Sequence, residues 1–134
     1  MTVRTPRELV LEYVAAVGRQ APVDELAAFL TDDFHLLEWP NALTPERSMR
    51  NRTQVLKGLE QSHLVVGEQE HTVRRVVADG DTVVVELDWE ATSRMDLPHW
   101  SVGDRMKARI LSVFTVRDGL IAALDSFDSY ETQG

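Results

Sequence analysis

The sequence predicts an α+β fold in which helices cover one face of a curved, mainly antiparallel sheet. Two observations support this prediction. Apolar residues in the first half of the chain recur at helical spacing, and the chain after residue 68 consists of long β-branched runs joined by short turns. Strands joined in this way pair sequentially and antiparallel. A sheet that curls away from its helices leaves a cavity, which is a common place for a small-molecule site.

The first helix has a complete start signal. Thr5 can cap it, Pro6 suits its first position, and Glu8 lies three residues after Thr5, as a capping box requires. Apolar residues then recur at helical spacing as far as Gly18, a residue type that often ends helices. These features predict a helix from Pro6 to about Gly18.

Two further helices and a short strand complete the first half. A second helix is predicted from about Pro22 to Leu30, and residues 34–39 predict a strand. Residues 42–50 predict a loop. A third helix is predicted from about Thr53 to Ser62, with Asn51 as its cap.

The second half of the chain predicts four strands, at residues 69–78, 82–93, 105–116 and 120–130. Asp79-Gly80-Asp81 and Arg117-Asp118-Gly119 are turn signals between them. The longer polar loop 95–104 has the length of a lid over a cavity. Since there is no repeat and no linker, residues 1–134 are predicted to form a single domain.

Charge and composition narrow the function classes. The 134-residue chain has a formal charge of −8 and a sequence pI of about 4.9, which argues against binding nucleic-acid phosphates or anionic membranes. Without cysteine it can hold no disulfide, no thiolate-bound metal and no cysteine nucleophile. No apolar run approaches the roughly 20 residues that span a bilayer, and no signal peptide is evident. We therefore expect a cytoplasmic protein.

Several local motifs point to a known family. They are Glu8–Tyr13, Phe29–Phe34, Asp79–Val85, Phe114–Ile121 and Asp125–Asp128. In this order and spacing the chain, from Glu8 to about Glu131, resembles the SnoaL-like branch of the nuclear transport factor 2-like superfamily. That superfamily includes polyketide cyclases, ketosteroid isomerases and limonene epoxide hydrolases. The resemblance implies a cone-shaped α+β barrel with a deep pocket for a small molecule, and usually a homodimer built through the sheet.

Enzymes of this superfamily commonly place a carboxyl group in an apolar pocket, where burial raises its pKa and suits it to acid–base catalysis. Asp125 and Asp128 lie three apart on the last predicted strand and therefore point to opposite faces. Asp125 is the first candidate for the catalytic base, and by resemblance it matches one acid of the epoxide hydrolases. Alternatively, it pairs with an arginine or lies in solvent. Asp128 is expected to orient backbone or bond across the sheet, with a catalytic role as its alternative.

Three acids share one face of the strand predicted at residues 82–93: Glu86, Asp88 and Glu90. They either face water, or face the pocket while Leu87 and Trp89 are buried in a dimer. By resemblance, Asp88 matches the second acid of the epoxide-hydrolase triad. Glu86 stands where those enzymes need an arginine, which puts that mechanism in doubt, although Arg109 is a candidate substitute.

Glu38 is a further candidate acid, one residue before Trp39-Pro40. Ketosteroid isomerases carry their base directly before a proline at about this point of the chain. The match is displaced by one residue, which would turn the side chain to the other face unless a bulge intervenes. An exposed or arginine-paired glutamate is therefore the preferred interpretation.

Large side chains are candidates for contacts with the substrate, although such residues are more often simply core. They are Tyr13, Phe29, Trp39, Trp100, Met106 and Phe127, and His35 is added because an imidazole side chain can take up and release a proton near neutral pH. No histidine pair has the spacing of a metal site, and no metal or organic cofactor is expected.

The function predicted from these observations is proton abstraction and return on an apolar small molecule, as in cyclisation, isomerisation or dehydration. Asp125 would be the base, with Asp88 or Glu38 as its partner. The alternative is a non-catalytic ligand-binding or dimerisation module of the same fold. An apolar pocket with one isolated carboxyl group would favour the enzyme, whereas a filled cone with paired acids would favour the module.

Overall fold

In the computed structural model, which describes residues 3–132, three helices and six strands follow one another along the chain. They are α1 (Pro6–Gly18), α2 (Val23–Ala27), β1 (Leu30–Glu38), β2 (Ser48–Asn51), α3 (Arg52–Val65), β3 (Glu70–Asp79), β4 (Thr82–Thr92), β5 (Arg105–Arg117) and β6 (Leu120–Tyr130). None of the helices in this described part is long and apolar enough to cross a bilayer.

The predicted capping box of α1 and the predicted Asn51 cap of α3 are confirmed. The Thr5 hydroxyl accepts from the backbone N–H of Glu8 at 3.1 Å, and the Glu8 carboxylate accepts from the backbone N–H of Thr5 at 3.2 Å. Asn51 and Gln54 make the same reciprocal pair at the start of α3, at 2.9 and 2.8 Å. Each box satisfies two of the backbone donors that a helix start leaves free, so the sequence determines where α1 and α3 begin.

The strands form one sheet in the order β2-β1-β6-β5-β4-β3, and the predicted α+β class is confirmed. Strands β3 to β6 pair sequentially and antiparallel, as predicted, whereas β1 pairs parallel to β6. Asp118 and Gly119 adopt φ angles of 53° and 77° in the turn between β5 and β6. Positive φ at both central residues is typical of a tight hairpin, and this hairpin places Asp128 opposite Ile110.

Two predictions in the first half need correction. Leu30 is not helical, because it pairs with Ile121 of β6, whose backbone N–H donates to the Phe29 carbonyl at 2.8 Å. Helix α2 therefore ends at Ala27, and β1 begins before the predicted strand. Part of the predicted loop 42–50 belongs to β2, a polar edge strand whose sequence, Ser-Met-Arg-Asn, has no β-branched residue.

The sheet has an inner face, which packs against α1 and α3, and an outer face, which packs against none of the helices in the described part of the chain. On β4 the inner positions are all 8% exposed or less: Val83, Val85, Leu87, Trp89 and Ala91. Inner positions of the other strands join them in one core with Leu9, Phe34 and Phe114. Of the two alternatives left open for this strand, the structure shows the one in which its acids face outward and its apolar residues turn inward. The alternative, in which Leu87 and Trp89 face a dimer partner, is wrong.

Candidate functional site

An open cavity of about 280 Å³ lies between the inner face of the sheet and helices α1 and α3. Most of its wall is apolar, since the inner positions of the strands meet the apolar sides of both helices there. The wall includes Tyr13, Val55, Leu87, Ile110, Phe114 and Leu124. Among the residues that the structure describes, Asp128 is the only carboxyl side chain in this wall.

Asp128 reaches the cavity because of the alternation along β6. Leu124, Ser126, Asp128 and Tyr130 are two residues apart and all line the cavity. The Ser126 hydroxyl donates to Oδ1 of Asp128 at 2.5 Å. Burial raises the pKa of Asp128 above its ordinary value, the Ser126 hydrogen bond opposes this rise, and the negative charge of Glu38 adds to it. The result is a carboxyl group that holds its proton more tightly than one in water.

Glu38 lies on the cavity side of β1 but is held by other groups. Its side chain is 13% exposed, and Oε1 accepts from the guanidinium of Arg50 at 3.0 Å. Oε2 accepts from the amide of Asn41 at 2.9 Å and from the hydroxyl of Thr44 at 3.2 Å. The preferred interpretation of an arginine-paired glutamate is therefore correct. Glu38 and Asp128 form two carboxyl groups in contrasting environments, an arrangement that enzymes use to separate acid and base roles.

Two tyrosines add neutral hydroxyl groups to the wall. Burial raises the pKa of Tyr130, and the nearby charges of Asp128 and Glu38 raise it further. Burial alone raises the pKa of Tyr13. Both side chains therefore remain protonated phenols, which can donate a hydrogen bond to a ligand oxygen.

Asp125 lies on the opposite face of β6, which corrects its predicted position in the pocket. It stands between Leu124 and Ser126, both of which line the cavity, and its side chain therefore points away from it. On the same outer face, Phe127 is 40% exposed. The prediction failed because both faces of β6 carry an aspartate and apolar residues, so the strand's own pattern does not say which face is buried.

Asp88 also lies on the outer face, where arginines surround it. Arg109 and Arg74 each donate to one of its oxygens at 2.5 Å. These hydrogen bonds, that of Arg109 first, hold the pKa of Asp88 below its usual value. Arg109 also donates to Glu86 at 2.9 Å. Asp88 therefore does not meet Asp128 in the cavity, and the acid–arginine–acid pattern is an exposed ion-pair network.

Of the large side chains predicted to contact the substrate, Tyr13 lines the cavity. Phe29 and Trp100 lie one layer behind the wall. The Phe29 ring meets that of Tyr13 at 5.6 Å between centroids, and Trp100 meets Tyr130 at 5.5 Å. Trp100 brings the loop 95–104 against the site from behind, and the role of this loop as a lid stays a prediction.

The remaining four predicted contacts do not line the cavity, which corrects the sequence-based prediction. Met106 is fully buried in the core, and His35 is exposed on β1. Trp39 and Phe127 stack on each other with centroids 5.7 Å apart, outside the cavity. Large size selects for burial in general and does not distinguish a cavity wall from a core.

The sequence analysis missed Gln69 and His71, which line the cavity beside Trp89. Trp89 donates its indole N–H to Oε1 of Gln69 at 3.0 Å, and Nε2 of His71 lies 3.2 Å from the same oxygen. Within residues 3–132, no group of three or more histidine, aspartate or glutamate side chains is arranged to hold a metal ion.

Comparisons with known proteins give one family and a consistent fold. The model of a family described as SnoaL-like domain matches residues 10–124. No curated protein sequence matches the chain significantly. Three similar solved structures are each 22% identical to this chain or less, so their likeness shows the fold alone.

IdmH from Streptomyces antibioticus, a candidate polyketide cyclase, is 18% identical, with a TM-score of 0.76 over 93% of this chain and 92% of that one. A Catenulispora acidiphila protein of ketosteroid isomerase-like fold, solved with trimethylamine, is 14% identical, with a TM-score of 0.73 over 93% and 88%. SalBIII, an epoxide hydrolase/cyclase-like enzyme with a role in pyran ring formation in the polyether salinomycin, is 22% identical. Its TM-score is 0.73 over 96% of this chain and 95% of that one.

Proposed function

Because the chain belongs to the SnoaL-like domain family, we propose that it is a small enzyme that removes and returns a proton on an apolar small molecule. One observation carries the proposal: the Asp128 carboxyl group, with its raised pKa, lies in the wall of an apolar cavity. Cyclisation, isomerisation and dehydration all use such a group. The structural relatives named as cyclases and isomerase-like proteins agree with this reaction class.

Asp128, and not Asp125 as predicted from the sequence, is the proposed catalytic base. In its ionised form it accepts a proton from a carbon next to a carbonyl group, and the electron pair of the broken C–H bond forms an enolate. The phenol of Tyr130, two residues along β6, can donate to the enolate oxygen. Asp128 then returns the proton to the same or another carbon, so that no oxidant or cofactor is required.

Exchange of carbon-bound hydrogen tests this proposal directly. In D2O, the protein is expected to speed the incorporation of deuterium beside the carbonyl of 2-tetralone, a small apolar ketone, well above the rate in buffer alone. Proton NMR measures the loss of the α-hydrogen signal. Binding of 2-tetralone without accelerated exchange would contradict the proposal and favour the alternative, a non-catalytic ligand-binding module. One observation supports that alternative: Asp88 and Glu86 lie outside the cavity, where they pair with Arg109.

We also propose that two copies associate through the outer face of the sheet. Apolar side chains are exposed there next to the ion-pair network: Met49 on β2 is 60% exposed, Leu111 on β5 39% and Phe127 on β6 40%. Leu111 and Phe127 are direct cross-strand partners, so they form a continuous patch. A patch of this kind is typical of a surface that a partner covers.

Replacing Phe127 with Asp is expected to raise the dissociation constant of this dimer by roughly thirtyfold or more, because a buried aromatic anchor is exchanged for an unpaired charge. Sedimentation equilibrium measures the shift. Val102→Asp is the matched control, since Val102 is 60% exposed in the loop 95–104. A monomeric wild-type protein, or equal effects of the two variants, would refute the proposed interface.

A further inference from the structure

One end of the cavity carries a hydrogen-bonded group that the proposed reaction does not use. Gln69 immediately precedes β3, and His71 and Trp89 are direct partners across β3 and β4. Oε1 of Gln69 lies 3.0 Å from the indole nitrogen of Trp89 and 3.2 Å from Nε2 of His71. All three side chains line the cavity.

The indole of Trp89 determines how the Gln69 amide is oriented. Since an indole N–H can only donate, the amide atom that faces it must be the oxygen. The same oxygen faces Nε2 of His71, so this nitrogen must carry the ring proton of the neutral imidazole. Both lone pairs of the Gln69 oxygen are then occupied. The Gln69 side chain can therefore offer a ligand only the two N–H groups of its amide nitrogen.

His71 itself is turned away from a ligand. Its Nδ1 is buried and has no hydrogen-bond partner among residues 3–132, and it faces the end of α1, where a Cβ atom on Gly18 would lie 3.2 Å from it. Burial lowers the pKa of His71, which keeps the ring neutral. The role of His71 is therefore to hold the Gln69 amide in place through its Nε2–H, while the amide N–H groups of Gln69 face the cavity.

We propose that the amide nitrogen of Gln69 recognises a second, non-reacting oxygen of the ligand, a carbonyl or hydroxyl group that accepts a hydrogen bond. The inference rests on the proposed function, because it assumes that the same cavity holds the substrate. Strands β4 and β5 separate β3, which Gln69 immediately precedes, from β6, which carries Asp128, and three strand spacings amount to about 14 Å along the sheet. A ligand that meets both groups is elongated, with oxygen functions towards its two ends and an apolar middle.

A matched pair of probes tests the subsite without any turnover. 2-Acetylnaphthalene and 2-ethylnaphthalene have nearly the same shape, but only the first carries an accepting oxygen. Isothermal titration calorimetry measures both dissociation constants. The Tyr130→Phe protein, which lacks the phenol that could also bind the ketone oxygen, is expected to prefer the ketone by about tenfold. Adding Gln69→Met, which keeps the length of the side chain but removes its donors, is expected to abolish this preference.

Two further variants separate recognition from general damage. In the same Tyr130→Phe background, Gln61→Met, on the exposed side of α3, is expected to keep the ketone preference, and Trp89→Phe is expected to reduce it, because the Gln69 amide is then free to turn. An unchanged preference when Gln69→Met is added, an equal loss of affinity for both probes, or no preference in the Tyr130→Phe protein would overturn the proposal. A preserved preference together with failed deuterium exchange would instead overturn the proposed reaction and leave this subsite in place.

Discussion

Replacing Asp128 with Asn is expected to slow deuterium exchange into 2-tetralone by about 10²–10⁴-fold while leaving its binding largely unchanged. Asparagine has nearly the same shape and can still accept the hydrogen bond that Ser126 donates. It cannot take up a proton from carbon, so the chemical step loses its base. Proton NMR gives the exchange rate at saturating 2-tetralone, and tryptophan fluorescence gives the dissociation constant.

The matched control is the same substitution three residues earlier. Asp125→Asn changes an aspartate on the outer face of the same strand and is expected to leave the exchange rate within about twofold of wild type. Normal exchange in Asp128→Asn would refute the assignment of the base. A loss confined to Asp125→Asn would restore the prediction made from the sequence.

The pKa of Asp128 also links this site to pH. The exchange rate of the wild-type protein should rise with pH through a midpoint above the ordinary value of 3.8, because the base must be ionised. The charged or titratable side chains around it are Glu38 on β1, Tyr130 on β6, His71 on β3 and Tyr13 on α1. Tyr13 and Tyr130 stay protonated throughout this range because their pKa values are raised, so neither phenol contributes to the rise.

The raised pKa of Asp128 also predicts how the stability of the fold changes with pH. The native state holds the Asp128 proton more tightly than the unfolded state, so this group stabilises the fold fully below its unfolded pKa. That contribution is lost as pH rises through the higher folded pKa. Asp128→Asn is therefore expected to unfold at a higher temperature than wild type near pH 7, with the difference shrinking towards about pH 3. Such a gain in stability with loss of activity is typical of a catalytic group held in an unfavourable environment.

Local signals in the sequence determined most of the fold. The Thr5 and Asn51 capping boxes define the starts of α1 and α3, and the turn at Asp118-Gly119 defines a hairpin. The strict alternation of β4 predicts one apolar and one acidic face, and the packing of the strand shows that the apolar face is the inner one. The predictions that failed concern residues whose structure depends on contacts with distant parts of the chain. Leu30 is a strand residue because β6 lies beside it, and the polar strand β2 forms along the edge of β1.

The site was harder to predict, because β6 does not reveal its own inner face. The missing information lies in the register of its neighbours. Leu87 of β4 turns inward, it pairs with Ile110 of β5, and Ile110 pairs with Asp128 of β6. Carrying the alternation of β4 across to β6 by counting alone would still have selected Asp125, because a bulge between Thr115 and Val116 shifts the pairing of β5 with β6 by one residue and exchanges the two faces of β6. Gln69 had no such signal, because its role depends on the indole of a residue 20 positions away.

Phe114 joins the core to the cavity, and its removal is expected to have the largest effect on stability. The side chain is 2% exposed, it lines the cavity, and its ring meets that of Tyr13 edge to face at 6.2 Å between centroids. Phe114→Ala should lower the free energy of unfolding by about 3–5 kcal/mol, since it removes buried apolar surface and leaves a space that the rigid sheet cannot close. Urea denaturation followed by circular dichroism measures this loss.

A small apolar ligand distinguishes an enlarged cavity from a collapsed one. If the space left by Phe114 stays open, benzene should bind there and raise the melting temperature of Phe114→Ala more than that of wild type, because it binds only the folded state. Phe127→Ala, the same substitution on the outer face, should gain no such stabilisation from benzene. A loss of stability below about 1 kcal/mol, or an equal benzene effect on both variants, would show that Phe114 does not support the cavity wall. The expected pattern would mean that Phe114 fills space in this cavity that a ligand could otherwise occupy.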